Sequence, residues 1–95
     1  MSRVRVEVFV SGRVQGVYYR AFTEKEANLL GIGGYVRNLT DGRVHLEAEG
    51  DRSVVDQLIR RLWEGPPRAK VSDVQVTWRT VEGGPVYSSF EIRDR

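Results

Sequence analysis

The 95-residue chain has no cysteine, one histidine and three prolines, and only two of its 15 cationic residues are lysine. Each shortage removes a class of function. Without cysteine there is no disulfide scaffold, no thiolate metal site and no thiol nucleophile, so the core must hold by packing alone. A single histidine, with no serine in a nucleophile motif, argues against a Ser/His/Asp hydrolase. No apolar run approaches the roughly 18 residues of a membrane span, and the amino terminus alternates like a strand, unlike a signal peptide. A soluble, cytoplasmic protein with no membrane partner is the expectation.

What is present describes a small folded domain. Val, Leu, Ile and Phe supply 27 of the 95 residues, too many for a disordered chain. The length suits one domain over residues 1–95, and no repeat, low-complexity tract or linker composition divides it. The formal charge of +2 balances 15 Lys and Arg against 13 Asp and Glu, too slight an excess to point to nucleic acid. Thirteen of the cations are Arg, a residue suited to bidentate anion binding and to surface ion pairs. An anionic small molecule is admitted.

Residues 1–10 alternate, with Val4, Val6, Val8 and Val10 on one side and Arg3, Arg5, Glu7 and Phe9 on the other, the pattern of a strand buried on one face. A loop from Ser11 to Gly16 leads into a helical period in which Tyr18, Tyr19, Phe22, Leu29 and Leu30 share a face. Gly31, Gly33 and Gly34 end that helix. Tyr35 to Asn38 reads as a second strand, Leu39-Thr40-Asp41-Gly42 as a hairpin turn. Val44, Leu46 and Ala48 are the inward side of the return strand, with His45, Glu47 and Glu49 outward. Ser53 suits the cap of a second helix, whose inner face is Val54, Val55, Leu58, Ile59 and Leu62. Gly65-Pro66-Pro67 ends it. Val74, Val76 and Trp78 form a fourth strand, and Phe90 and Ile92 a short last one.

The order βαββαβ with an extra C-terminal strand predicts a ferredoxin-like α/β two-layer sandwich, a mostly antiparallel sheet with both helices on one face. In that topology strands one and two are parallel and strand three lies between them. The loop after strand one and the end of strand two then meet at one edge, roughly 10 Å apart.

Both places carry suggestive residues. Gly12-Arg13-Val14-Gln15-Gly16-Val17-Tyr18-Tyr19-Arg20 runs from a strand into a helix start. Gly12 and Gly16 allow positive φ and close approach, the helix dipole adds partial positive charge, and Arg20 can close a fork on phosphate or carboxylate. An ordinary strand-to-helix turn with a solvated Arg fits the same residues. Asn38, at a strand end, can orient a water through its donor and acceptor, or bond its own turn. Asn38-Leu39-Thr40 also fits a glycosylation acceptor, a reading that needs a secretory signal.

Gly12 to Arg20 resembles the acylphosphatase signature Gly-x-Val-Gln-Gly-Val-x-(Phe/Tyr)-Arg at every fixed position. Gly34-Tyr35-Val36-Arg37-Asn38, followed by Gly42, Val44 and Gly50, resembles that family's second signature. The resemblance spans essentially the whole chain. It implies hydrolysis of the carboxyl–phosphate bond of acyl phosphates without metal or cofactor, with inorganic phosphate or sulfate as a competing ligand. It assigns Arg20 and the backbone of Gln15, Gly16, Val17 and Tyr18 to the phosphoryl group, and Asn38 to the attacking water. Leu39 stands where a Thr is frequent in the family, which removes a polar side chain beside Asn38. A monomer without nucleic acid is expected.

Such a reaction suits a chain poor in nucleophiles. A loose phosphoryl-transfer transition state asks for positioning and charge stabilisation. The leaving carboxylate, with a pKa near ~4, needs no general acid, and a phosphoryl oxygen can take the water's proton. Two alternatives share the fold: a non-catalytic domain and an RNA-binding module. The Arg20/Asn38 pair argues against the first, and an outward strand-three face of His45, Glu47 and Glu49 without stacking aromatics against the second. His45 is expected at the surface and not as a metal ligand, Trp63 and Trp78 in or beside the core, and Arg60, Arg61 and residues 93–95 in solvent.

Overall fold

The strict alternation along the first strand decides the layering. In the computed structural model, which describes residues 2–94, Val4, Val6, Val8 and Val10 are all buried along β1 (Arg3–Arg13). Met1 and Arg95, expected in the first strand and in the charged terminus, lie outside the described residues. The other elements are α1 (Tyr19–Leu29), β2 (Gly33–Asn38), β3 (Val44–Asp51), α2 (Arg52–Glu64), β4 (Lys70–Thr80) and β5 (Phe90–Ile92). The sheet order is β4-β1-β3-β2-β5. Because β3 is antiparallel to both β1 and β2, those two strands run parallel, and β5 adds parallel to β2. The expected ferredoxin-like arrangement is present.

Register builds one apolar layer from these strands. Val6, Val8 and Val10 stand opposite Ala48, Leu46 and Val44 on one side, and opposite Trp78, Val76 and Val74 on the other. Tyr19 and Ala27 of α1, and Val55, Leu58 and Leu62 of α2, join the same core cluster. Each fully buried aliphatic side chain in it is worth about 1.5–3 kcal/mol.

Local details depart from the sequence pattern. β1 continues to Arg13 because Gly12 and Arg13 pair with Val71 and Lys70 beyond a register shift at Ser11/Gly12. A Cβ at Gly12, where φ is 120°, would collide with the Lys70 carbonyl. This glycine therefore serves strand packing, not approach to an anion. The inner face of α1 is Tyr19, Thr23 and Ala27, whereas Tyr18 and Leu29 are 79% and 69% exposed. The cause is Tyr18, which sits before the helix at φ 65° and starts the helical phase one residue late. α2 is preceded by Asp51, not Ser53, and that position makes no side-chain capping bond. Trp63 is exposed. Arg61 is not free in solvent: its guanidinium reaches Glu26 on α1 at 3.1 Å.

The largest departure is the other face of the sheet, where His45 and Glu49 are buried. As the central strand, β3 is overlaid by long side chains from both neighbours. Phe9 and Tyr35 rings lie 4.8 and 5.8 Å from the His45 ring. The segment between β4 and β5 also reaches this face: the Val86 amide donates to Glu49 at 2.9 Å and the Tyr87 hydroxyl to Glu47 at 3.0 Å. Burial pushes the Tyr87 phenol up to about 12, helped by its bond to Glu47. His45, Glu7 and Glu47 bring three possible ligand atoms within 4.8 Å of one another. Both ring nitrogens are nevertheless engaged. Nδ1 accepts from Arg37 Nε at 3.0 Å, so Nε2 holds the proton and donates to Glu7 at 3.0 Å. A protonated nitrogen offers a metal no lone pair.

Glu49 anchors this polar layer. It accepts from Arg5 Nη2 at 2.8 Å and from Arg3 Nη2 at 3.1 Å. Burial pushes its carboxyl up, but hydrogen bonds from Arg5, the Val86 amide and Arg3 outweigh that and hold it below its ordinary value. A carboxylate lowered in the folded state contributes stability above its unfolded pKa and loses it as pH falls through the folded value. Glu49→Gln should therefore cost about 2 kcal/mol at neutral pH, the scale of charge-assisted hydrogen bonds to arginines that remain partly solvated. It should also flatten the acid dependence of stability below pH ~4. Denaturant titrations of both proteins between pH 7 and pH 3 measure this. Identical acid losses in the two would exclude Glu49 as a source.

Candidate active site

Past Arg13 the chain leaves the sheet, and two buried valines fix its path. Val14 and Val17 point into the core, so Gln15 and Gly16 arch between them. Gly16 has φ 73°, and a Cβ there would meet no atom within 4 Å; the backbone at this point is open to close approach. Tyr18 is left-handed at φ 65°, the one non-glycine residue with positive φ among those described. For an L-residue this conformation costs roughly 1–2 kcal/mol. Its neighbours hold it there. Val17 and Tyr19 both turn inward, and the Tyr19 hydroxyl donates to the Leu62 carbonyl at 2.6 Å. Burial pushes the Tyr19 phenol well above its ordinary value, so this donor keeps its proton.

The result is a run of unused donors. The first helical bond of α1 comes from Phe22, whose amide donates to the Tyr18 carbonyl at 3.0 Å. Among the described residues, no backbone N–H from Gly16 to Ala21 meets an acceptor. Successive free amides at a helix start form an anion-binding concavity. Arg20, half-buried in the first turn, makes no ion pair among the described residues.

Asn38 arrives from the other direction as the last residue of β2, opposite Val44. Its Oδ1 is buried and has no hydrogen-bond partner. The turn closes without it, through the Leu39 amide and the Arg43 carbonyl at 2.8 Å. Asn38 is thus not spent on its own turn, and an acceptor of this kind needs a donor from solvent or ligand.

The structure brings Gly16, Tyr18, Arg20 and Asn38 to one cleft of about 430 Å³. Arg20 and Asn38 also border an adjoining cleft of about 400 Å³, with Gln15, Leu39, Thr40 and Asp94. A recess of about 80 Å³ between Arg5, Glu7, Glu47 and Arg79 lies in the polar layer, away from these groups. Val17 can take part only through its backbone. The Gln15 side chain is engaged elsewhere, since its Nε2 donates to the Leu39 carbonyl at 2.7 Å and to the Arg43 carbonyl at 2.9 Å. It ties the loop after β1 to the turn after β2.

Sequence reasoning missed Arg68 and Ile92, which line the larger cleft. No local pattern marks either. Arg68 arrives because β4 begins beside the end of β1, with Lys70 opposite Arg13. Ile92 arrives because β5 sets it opposite Val36.

Residues 6–92 match the sequence profile of the family described as Acylphosphatase. A protein named Acylphosphatase from Pelotomaculum thermopropionicum is 51% identical over 92 residues, covering 97% of this chain and 98% of the relative. The crystal structure of acylphosphatase from Bacillus subtilis superimposes with a TM-score of 0.88 at 33% identity, covering 95% of this chain and 98% of that one. The structure of an acylphosphatase from Coxiella burnetii gives 0.83 at 41% identity, covering 97% and 94%.

The Gln15 clamp is testable by itself. Gln15→Leu removes both of its bonds to carbonyls that keep other partners, so the loss of stability should be about 1 kcal/mol. Amide exchange at Leu39 should accelerate by more than the global loss explains. Protection at Leu39 that falls only with global stability would rule out a local clamp.

Proposed function

This chain belongs to the acylphosphatase family and hydrolyses acyl phosphates, and we propose that it does so with backbone amides, Arg20 and Asn38, acting as a single domain over residues 1–95, as a monomer in the cytoplasm. No described helix is long and apolar enough to cross a membrane. The observation that carries the reading is the run of unpaired amides from Gly16 to Ala21 beside Arg20 and the unpartnered Asn38 Oδ1.

In this mechanism the amides and Arg20 hold the phosphoryl oxygens. The guanidinium grips two of them, and the fixed N–H dipoles stabilise the charge spread over them in the transition state. Asn38 Oδ1 accepts a hydrogen bond from a water and aims its oxygen at phosphorus. As the water oxygen bonds to phosphorus, the bond from phosphorus to the acyl oxygen breaks, and its electron pair leaves on the carboxylate. The water's proton passes to a phosphoryl oxygen. The products are a carboxylate and inorganic phosphate, and no protein group changes protonation. Gln15 acts through its side chain on the position of Asn38 and through its backbone on the shape of the loop.

Phosphate release from benzoyl phosphate should proceed with EDTA present, inorganic phosphate competing with substrate. Arg20→Lys keeps the charge and loses the fork, so kcat/KM should fall on the order of 10²-fold or more. Near wild-type turnover in a folded Arg20→Lys protein would place the phosphoryl site elsewhere. Asn38→Ala should lower kcat steeply while phosphate still binds with nearly unchanged affinity, whereas Arg20→Ala should weaken phosphate binding as well. Calorimetric titration of phosphate into both variants separates the two roles. Equal loss of binding in the two would refute water positioning by Asn38.

A further inference from the structure

We propose that the larger cleft beside Arg20 is the acyl-group subsite, and that Arg68 makes it selective for acyl phosphates whose acyl chain carries a second anionic group. The inference rests on the assignment of Arg20 and Asn38 to the reacting phosphoryl group.

In-line displacement puts the attacking water and the departing carboxylate on opposite sides of phosphorus. Two clefts meet at Arg20 and Asn38, and their chemistry differs. One adds Tyr18, Ala21, Ile92 and Arg68, so it offers apolar surface and a cation. The other adds Gln15, Leu39, Thr40 and Asp94, and its one charged group beyond Arg20 is an anion. A departing carboxylate and its organic chain suit the first, because the Asp94 carboxylate repels them from the second. Water is indifferent to that charge.

Two observations mark the first cleft as built for an occupant. Tyr18 is held left-handed and is 79% exposed, and its side chain has no part in the core cluster. Backbone strain of this kind gathers at ligand sites, where the surroundings enforce it. The Tyr18 ring and the Ile92 side chain together present exposed apolar surface to the cleft. Arg68 is exposed and forms no ion pair among the described residues. By contrast, Arg43, Arg60, Arg61 and Arg93 each hold a carboxylate, and the other arginines without one among the described residues, Arg13, Arg37, Arg52 and Arg79, line neither cleft. A guanidinium left unpaired at the rim of an apolar cleft is a receptor for a carboxylate or phosphate at the far end of the acyl chain.

The test compares benzoyl phosphate with 4-carboxybenzoyl phosphate, which differ by one distal carboxylate. The ratio of kcat/KM for the carboxylated substrate over the plain one should fall at least about fivefold in Arg68→Gln, and further in Arg68→Glu. High salt should lower the wild-type ratio in the same direction. A ratio unchanged in both variants overturns the subsite, and so does an equal loss on both substrates, which would place Arg68 at the phosphoryl group or in folding. Inorganic phosphate as an inhibitor reports separately on the Arg20 loop. Should phosphate fail to compete with either substrate, the phosphoryl assignment itself is wrong; an unchanged ratio with competition intact overturns the acyl subsite and leaves the phosphoryl assignment standing.

Discussion

Because β3 pairs antiparallel with β1 on one side and with β2 on the other, the loop leaving β1 and the last residue of β2 are carried to the same end of the sheet. The rest of the site follows from that pairing. The amide run and Arg20 come from one neighbour of β3, and Asn38 from the other. Gln15 then bonds across the gap to the turn that joins β2 to β3. The proposed phosphoryl grip and the proposed water position are thus referred to one rigid frame, and two side-chain hydrogen bonds tie the loop to the turn. In the proposed mechanism rigid placement matters more than reactive side chains, since catalysis by positioned dipoles is effective only when they need not reorganise during reaction.

The parts legible in sequence are those governed by local periodicity or by a motif. The valine alternation of β1, the Asp41-Gly42 hairpin and the inner face of α2 all arise from contacts within a strand, a turn or a helix. The Arg20 and Asn38 positions are legible because each lies inside a signature. Most departures concern residues whose environment is supplied by distant chain, and one is a local backbone feature. His45 alternates outward, as the pattern says, but Phe9, Tyr35 and Arg37 from the flanking strands bury it. Gly12 reads as a loop residue because β4, which requires it, returns from far along the chain. Periodicity places Tyr18 in the helix because it carries no information about a single left-handed residue at the start. Arg68 has no signal at all.

The polar layer on the helix-free face bears on the RNA-binding alternative as well as on stability. Ferredoxin-like RNA-binding modules stack bases on exposed aromatics of the central strands. Here Phe9 and Tyr35 are drawn against His45, and both also carry arginine guanidinia over their rings, Arg43 at 4.7 Å and Arg93 at 4.0 Å. Tyr35 and Tyr87 are further committed to Glu47. Rings already occupied on face and edge are poor stacking platforms, and the carboxylates beside them repel a phosphate backbone.

Arginines of two groups serve different ends. On the helix-free face Arg3 and Arg5 share the Glu49 carboxylate and Arg37 donates to His45 Nδ1, so these side chains are committed to holding the sheet together. At the end of the sheet where β1 and β2 stop, Arg20 and Arg68 have no carboxylate partner among the described residues. There the larger cleft adds N–H donors, an apolar wall and Asn38, and the one carboxylate nearby, Asp94, borders the adjoining cleft. The whole chain carries a net charge of +2, and the larger cleft alone holds a local excess of two cations, Arg20 and Arg68, with no anion in its lining. That excess is what a doubly charged phosphoryl group requires when no metal takes part in the proposed mechanism, and its position is set by strand pairing, not by composition.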